Sequence, residues 1–195
     1  MTSSSTLIGD RRRAALARSE AMRRHPTRRD VSMGPVISAR AAASFVDCCA
    51  QLREHGTVLS GGVRLTDGDL GHGHFVAPTL AEAPADHPLF QEEMFLPILM
   101  VNRVKDFAEA LARANSATLG LTAGCYGSAD EVRTFLDEIE AGVTYVNRPQ
   151  GATTGAWPGY QPFGGWKGSG STGKAIGSFY YLPQYMREQS QTRVE

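Results

Sequence analysis

Residues 97–146 read PILMVNRVKDFAEALARANSATLGLTAGCYGSADEVRTFLDEIEAGVTYV, and the spacing of their apolar positions decides the fold class. Pro97 to Val104 opens the stretch with an apolar run suited to a buried strand. Asp106 and Glu109 stand three residues apart, which predicts a capping box ahead of Phe107, Ala108, Leu111 and Ala114. Leu121 to Tyr126 reads as a second strand. Ser128 and Glu131 repeat the capping pattern, and Val132, Phe135, Leu136 and Ile139 form an apolar stripe at helical spacing. Gly142 is expected to end that helix, and Val143-Thr144-Tyr145-Val146 is β-branched and aromatic, as strands prefer. Strand, helix, strand, helix, strand implies an α/β fold with a mostly parallel sheet and crossover helices.

Toward the N-terminus the alternation continues. Ser38 is placed to cap a helix that ends at Gly56, with Ala42, Phe45, Val46, Cys49 and Leu52 on its apolar face. Cys49 on that face reads as a small core hydrophobe. Residues 57–65 read as a short strand interrupted by Gly61-Gly62. Phe75 to Leu80 is expected to be extended, with Pro78 confining it to a sheet edge. Residues 1–32 form a basic lead-in, poorly ordered or helical. Eight of the first 30 residues are Arg against Asp10, Glu20 and Asp30, so that segment is +5 and the remainder is −5. Two readings of it stand, an Arg- and Ser-rich transit segment and a solvated lead-in. The two acids and the weak apolar face count against the first.

Beyond Val146 the character changes. Residues 147–178 hold nine Gly and no long apolar run, and a loop this long inside a compact domain is functional or disordered. Trp157, Tyr160, Phe163 and Trp166 predict that it is packed on something. Gly168 to Gly173 satisfies G-x-G-x-x-G, and Gly168 to Lys174 satisfies G-x-x-x-x-G-K. Neither follows an apolar strand, Ala175 replaces the magnesium-binding hydroxyl, and Pro183 forbids a long helix. Both are rejected as phosphate loops.

Balanced charge, 20 Lys+Arg against 20 Asp+Glu, argues against nucleic acid as a partner. No apolar run approaches the ~20 residues that cross a bilayer, so no membrane partner is expected. Three Cys, at 48, 49 and 125, suit a reducing cytoplasm rather than a disulfide scaffold. His72 and His74 have no third ligand nearby, so no metal is expected. Cys125 is expected to be buried and inert.

Three ordered segments carry a family resemblance. They are Met33-Gly34-Pro35-Val36-Ile37, the run Asp86-His87-Pro88-Leu89-Phe90-Gln91-Glu92-Glu93-Met94-Phe95-Leu96-Pro97, and Gln161-Pro162-Phe163-Gly164-Gly165-Trp166-Lys167-Gly168-Ser169-Gly170. Together they resemble the C-terminal, catalytic-domain part of the aldehyde dehydrogenase superfamily. Asn147-Arg148 through Thr154-Gly155-Ala156 is similar to the 1-pyrroline-5-carboxylate (L-glutamate γ-semialdehyde) dehydrogenase branch. The resemblance implies a catalytic-domain portion over 33–177 and an oligomerisation strand over 178–195. It implies NAD, or NADP, as cofactor and a small aldehyde as substrate. By the resemblance Glu93 holds the nicotinamide ribose, Phe95 packs near the nicotinamide, Gly155 and Ala156 bind the substrate carboxylate through backbone N–H groups, and Phe163 walls the aldehyde carbons. Leu96 stands where the family usually has Gly.

The family reaction runs through a thiohemiacetal on a cysteine, with hydride passing to NAD⁺ and water releasing the acid. The family's nucleophile and general base precede the Gly-Pro motif, so the resemblance assigns no catalytic residue here. It implies a homo-oligomer and a separate N-terminal half that carries the cofactor domain and nucleophile. The second reading is a non-catalytic binding or assembly module derived from the same fold.

Overall fold

The computed structural model describes residues 33–148, 161–170, 174 and 176–195. The basic lead-in therefore lies outside the described residues. The chain divides into two compact units, residues 1–103 and 104–195.

In the first unit, α1 spans Ala39–Glu54, and the Ser38 side chain accepts from the Ala41 N–H at 3.2 Å. Its buried face is Ala42, Phe45, Cys48, Cys49 and Leu52, and Val46 is left 44% exposed. Cys48 thus replaces the expected Val46. At 100° per residue the two positions flank the stripe symmetrically, about 80° to either side of its centre, so helical spacing alone cannot choose between them. The neighbours choose: Cys48 and Leu52 pack with Ala81, Ala83 and Leu89.

Strands β1 (Thr57–Ser60), β2 (Thr79–Glu82) and β3 (Ile98–Val101) form one sheet in that order. β1 pairs antiparallel with β2, and β2 pairs parallel with β3 in the register Thr79↔Ile98 to Glu82↔Val101. The strand expected over 75–80 is therefore shifted and central rather than at an edge. Pro78 lies between the antiparallel Val76↔Arg64 bridge and Thr79, the first residue of β2, so its missing N–H costs neither pairing a bond. Thr79 is buried and fully used: its Oγ1 accepts from the Gly62 N–H at 2.8 Å and donates to the Ala77 carbonyl at 2.9 Å. Gly61, at φ 79°, lies where a Cβ would overlap the Pro78 carbonyl.

The second unit contains α2 (Phe107–Asn115), β4 (Leu119–Gly120), β5 (Thr122–Cys125), α3 (Ala129–Glu138), β6 (Val143–Val146) and β7 (Trp166–Lys167). Asp106 accepts from the Glu109 N–H at 2.8 Å, while Glu109 reaches back to the Lys105 N–H at 3.0 Å. α3 carries a complete capping box between Ser128 and Glu131. β5 and β6 pair parallel across α3, from Thr122↔Val143 to Cys125↔Val146, as the β-α-β pattern requires. Leu111, Cys125, Phe135, Ile139 and Ala141 are its core.

Two corrections follow. The continuous sheet expected over 97–146 is divided: β3 pairs with β2, and β5 pairs with β6. Alternation of elements sets their type but not their partners, and sequential strands are neighbours only about two-thirds of the time. Also, α3 ends at Glu138 with Ile139 as its cap, so Gly142 does not terminate it. Gly142 is needed because a Cβ there would overlap the Gly164 carbonyl. Among the described residues, 178–195 hold a 3-10 turn at Pro183–Tyr185 and no paired strand.

Candidate functional site

The segment carrying Glu93 and Phe95 is anchored from one side. His87 Nδ1 accepts from the Leu89 N–H at 3.2 Å and caps the 3-10 helix Pro88–Gln91. Leu89 is 2% exposed in the cluster of Cys48, Leu52, Ala81 and Ala83. Phe90, Met94 and Leu96 pack against the same cluster. With those side chains turned inward, Glu92, Glu93 and Phe95 are left exposed.

Phe95 is 86% exposed and sits at φ 53°. A non-glycine residue in the left-handed region costs about 1–2 kcal/mol, and burial gives nothing back at this one. Phe95 is thus a large exposed aromatic at a strained backbone position, two residues along the chain from Glu93. The left-handed residue is Phe95 and not Leu96, whose side chain is half-buried and whose carbonyl accepts from Ile98 N–H at 2.8 Å.

Phe163, in the second unit, is half-buried and exchanges two backbone hydrogen bonds with Ile176, each 2.9 Å. Gly155 and Ala156 lie outside the described residues, as do Trp157 and Tyr160. Glu93 and Phe95 are thus brought together on one exposed segment, and Phe163 stands on a separate anchored turn.

Asn147, which opens the run into the Gly-rich loop, is more than a strand end. At φ 47° its side chain accepts from the Gly127 N–H at 3.1 Å and donates to the Gly127 carbonyl at 3.2 Å. Its own N–H reaches the Cys125 carbonyl at 2.8 Å, so Asn147 extends the β5–β6 ladder by one step. Asn tolerates the left-handed region and carries both a donor and an acceptor, and that was the available sequence signal.

All three thiols are buried. Burial pushes the Cys48 thiol up, and the Glu92 and Asp47 carboxylates push it the same way. Burial likewise raises Cys49, and raises Cys125 with help from Glu131. A raised thiol stays protonated, and thiolate is the reactive form. No group of three or more His, Cys, Asp or Glu among the described residues could hold a metal ion, and no described helix is long and apolar enough to cross a membrane. An open groove of about 610 Å³ in the first unit is lined by His55, Glu82, Asn102 and Arg103 among others, and neither Glu93 nor Phe95 lines it.

Comparison with known proteins places these features in context. A family model described as "Aldehyde dehydrogenase family" matches residues 10–190. The chain is 37% identical over 158 residues to a 1-pyrroline-5-carboxylate dehydrogenase of Bacillus mycoides, covering 80% of this chain and 29% of that protein. It is 38% identical over 157 residues to the enzyme of the same name from Bacillus licheniformis, again over 29% of the relative. The crystal structure of 1-pyrroline-5-carboxylate dehydrogenase from Thermus with bound NAD superposes with a TM-score of 0.77 at 38% identity, over 88% of this chain and 32% of that one. The chain therefore spans less than a third of the length of each of these three relatives.

Proposed function

The chain belongs to the aldehyde dehydrogenase family, and on that footing we propose that it serves an NAD(P)-dependent oxidation of L-glutamate γ-semialdehyde to glutamate, the last step of proline degradation. In this reading residues 33–177 are a catalytic-domain portion, 178–195 an oligomerisation segment and 1–32 a lead-in. The cofactor domain, nucleophile and general base would come from the portion of the enzyme that this stretch does not cover, the chain matching 29% of a relative's length. The identity to 1-pyrroline-5-carboxylate dehydrogenases supports the substrate.

The observation that carries the cofactor reading is the exposed pair Glu93 and Phe95. A carboxylate accepts from both hydroxyls of a sugar diol, and an aromatic two residues on offers a flat apolar face, so the two fit a nicotinamide riboside. Glu93 would hold the ribose and Phe95 would border the ring. When bound, the nicotinamide supplies a hydride acceptor. The chain's own residues do the positioning: the buried Leu89 cluster fixes their segment, so less ordering remains to be done on binding. Gly155 and Ala156 would present backbone N–H groups to the substrate carboxylate, because small residues let an anion approach. Phe163 would wall the aldehyde carbons. Exposed Phe179, Tyr180, Leu182, Tyr185 and Met186 support a covered, oligomeric role for the C-terminal segment.

The test combines the chain with a matching N-terminal half from a 1-pyrroline-5-carboxylate dehydrogenase and follows the absorbance of the reduced cofactor. We expect no turnover from the chain alone, turnover from the combination, and loss of it on Glu93→Ala. Steady turnover by the chain alone, abolished by replacing Cys48, Cys49 or Cys125, refutes the assignment. A bulky replacement of Ala156 should raise KM for the semialdehyde far more than for propanal.

A further inference from the structure

We infer that Lys167 is a positioning residue whose ammonium fixes the turn that carries Phe163. Its link to function rests on the reading of Phe163 as a substrate wall.

Lys167 has a φ of 52°, in the left-handed region that favours glycine. Glycines stand at 164, 165, 168 and 170, so a fifth at 167 would have removed the strain. A long cationic side chain occupies the position instead, and its contacts say why. Nζ donates to the Asn115 carbonyl at 2.6 Å and to the Ala117 carbonyl at 3.1 Å, and lies 2.7 Å from Glu140 Oε2. An ammonium has three donors, and three acceptors surround this one. The two carbonyls lie at and just beyond the C-terminus of α2, where helical carbonyls lack partners and a cation is favoured.

The same point joins the other helix. Asn115 donates from Nδ2 to the Glu138 carbonyl at 2.8 Å and accepts from the Glu140 N–H at 2.9 Å. The ends of α2 and α3 therefore meet the turn at one cation. The turn is set by further contacts: β7 pairs with β4, the Gly168 N–H reaches the Thr118 carbonyl at 3.0 Å, and the Gly164 carbonyl lies against Gly142. Between Lys167 and Phe163 stand Gly164, Gly165 and Trp166. The glycines bring no side chain to hold the path, so the anchors at either end of the turn locate Phe163. One anchor is the Ile176 bridge and the other is the Lys167 cluster.

The experiment is amide hydrogen exchange on the full chain carrying Lys167→Met, which keeps the stem and removes the charge. Exchange at the Phe163 and Ile176 amides is expected to speed at least tenfold, with less than a twofold change at Leu111 and Phe135 within the helices. Lys167→Arg should restore part of the protection. If Lys167→Met fails to fold, Glu140→Gln removes the ion pair, leaves both carbonyls, and should give the same local pattern at smaller amplitude. Unchanged protection at Phe163 and Ile176, or equal acceleration throughout α2 and α3, overturns the inference. In the completed enzyme, Lys167→Met should raise KM with little change in kcat. Localised exchange with an unaltered KM would uphold the clamp and refute the substrate role of Phe163.

Discussion

Replacing Phe95 by Asn should make the protein more stable while removing the aromatic from its surface. The side chain is 86% exposed, so its removal forfeits only about a seventh of the 1.5–3 kcal/mol that full burial of a Phe contributes, roughly 0.3 kcal/mol. Its φ of 53° costs about 1–2 kcal/mol for an ordinary residue, and Asn recovers a good part of that through local hydrogen bonding. Ala has no polar side chain to make those bonds, so it recovers none. The net expectation is that Phe95→Asn exceeds Phe95→Ala by about 1 kcal/mol, or about 2–4 °C in Tm for a chain of this size. Thermal melts of parent, Asn and Ala forms, followed by far-ultraviolet circular dichroism at one protein concentration, measure the difference. Asn and Ala variants that melt together would refute the claim that position 95 holds a left-handed conformation. In the completed enzyme both variants should weaken cofactor binding alike, because neither has the ring.

Thr79→Val leaves the buried Gly62 N–H and the Ala77 carbonyl without the Oγ1 partner, and should cost about 2–3 kcal/mol, read as a lower denaturant midpoint at constant m. The Ser128 N–H and hydroxyl hold the Glu131 carboxyl below its ordinary 4.5. Because the folded value is the lower one, the bond stabilises the fold above about that ordinary pH and is lost as pH falls through the lowered value. Glu131→Gln should therefore flatten the acid limb of stability against pH. Cys48, Cys49 and Cys125 are all buried, so a thiol reagent should label none of them quickly in the native chain and all three in denaturant. Fast labelling of any one under native conditions contradicts the packing described for it.

Helix starts were the most legible part of the fold. Ser38, Asp106 and Ser128 each cap where their side-chain chemistry demands, because a cap is written in four adjacent residues. The α3 crossover between β5 and β6 was equally legible, since the apolar period and the strand composition are local signals. Partnership was not. Whether β3 joins β2 or β5 depends on residues about twenty positions apart, and no period records that. Cys48 against Val46 is the same failure on a smaller scale, settled only by where Ala81 and Leu89 sit. For the candidate site, motif likeness singled out Glu93, Phe95 and Phe163 as candidates. Why Phe95 is held out, and what Asn147 and Lys167 do, waited on backbone angles and long-range hydrogen bonds.

The Lys167 cluster also has a bearing on how the second unit comes apart. Its bonds to Asn115 and Ala117 close loops of 52 and 50 residues, among the longest-range hydrogen bonds in that unit. Loop closure on that scale is entropically costly, so such contacts form after the local helix–strand pieces have docked. Interactions that form after the folding barrier change the unfolding rate more than the folding rate. The clamp on the Phe163 turn is on this account a brake on opening: losing it shortens the lifetime of the folded unit and leaves the speed of its formation nearly unchanged.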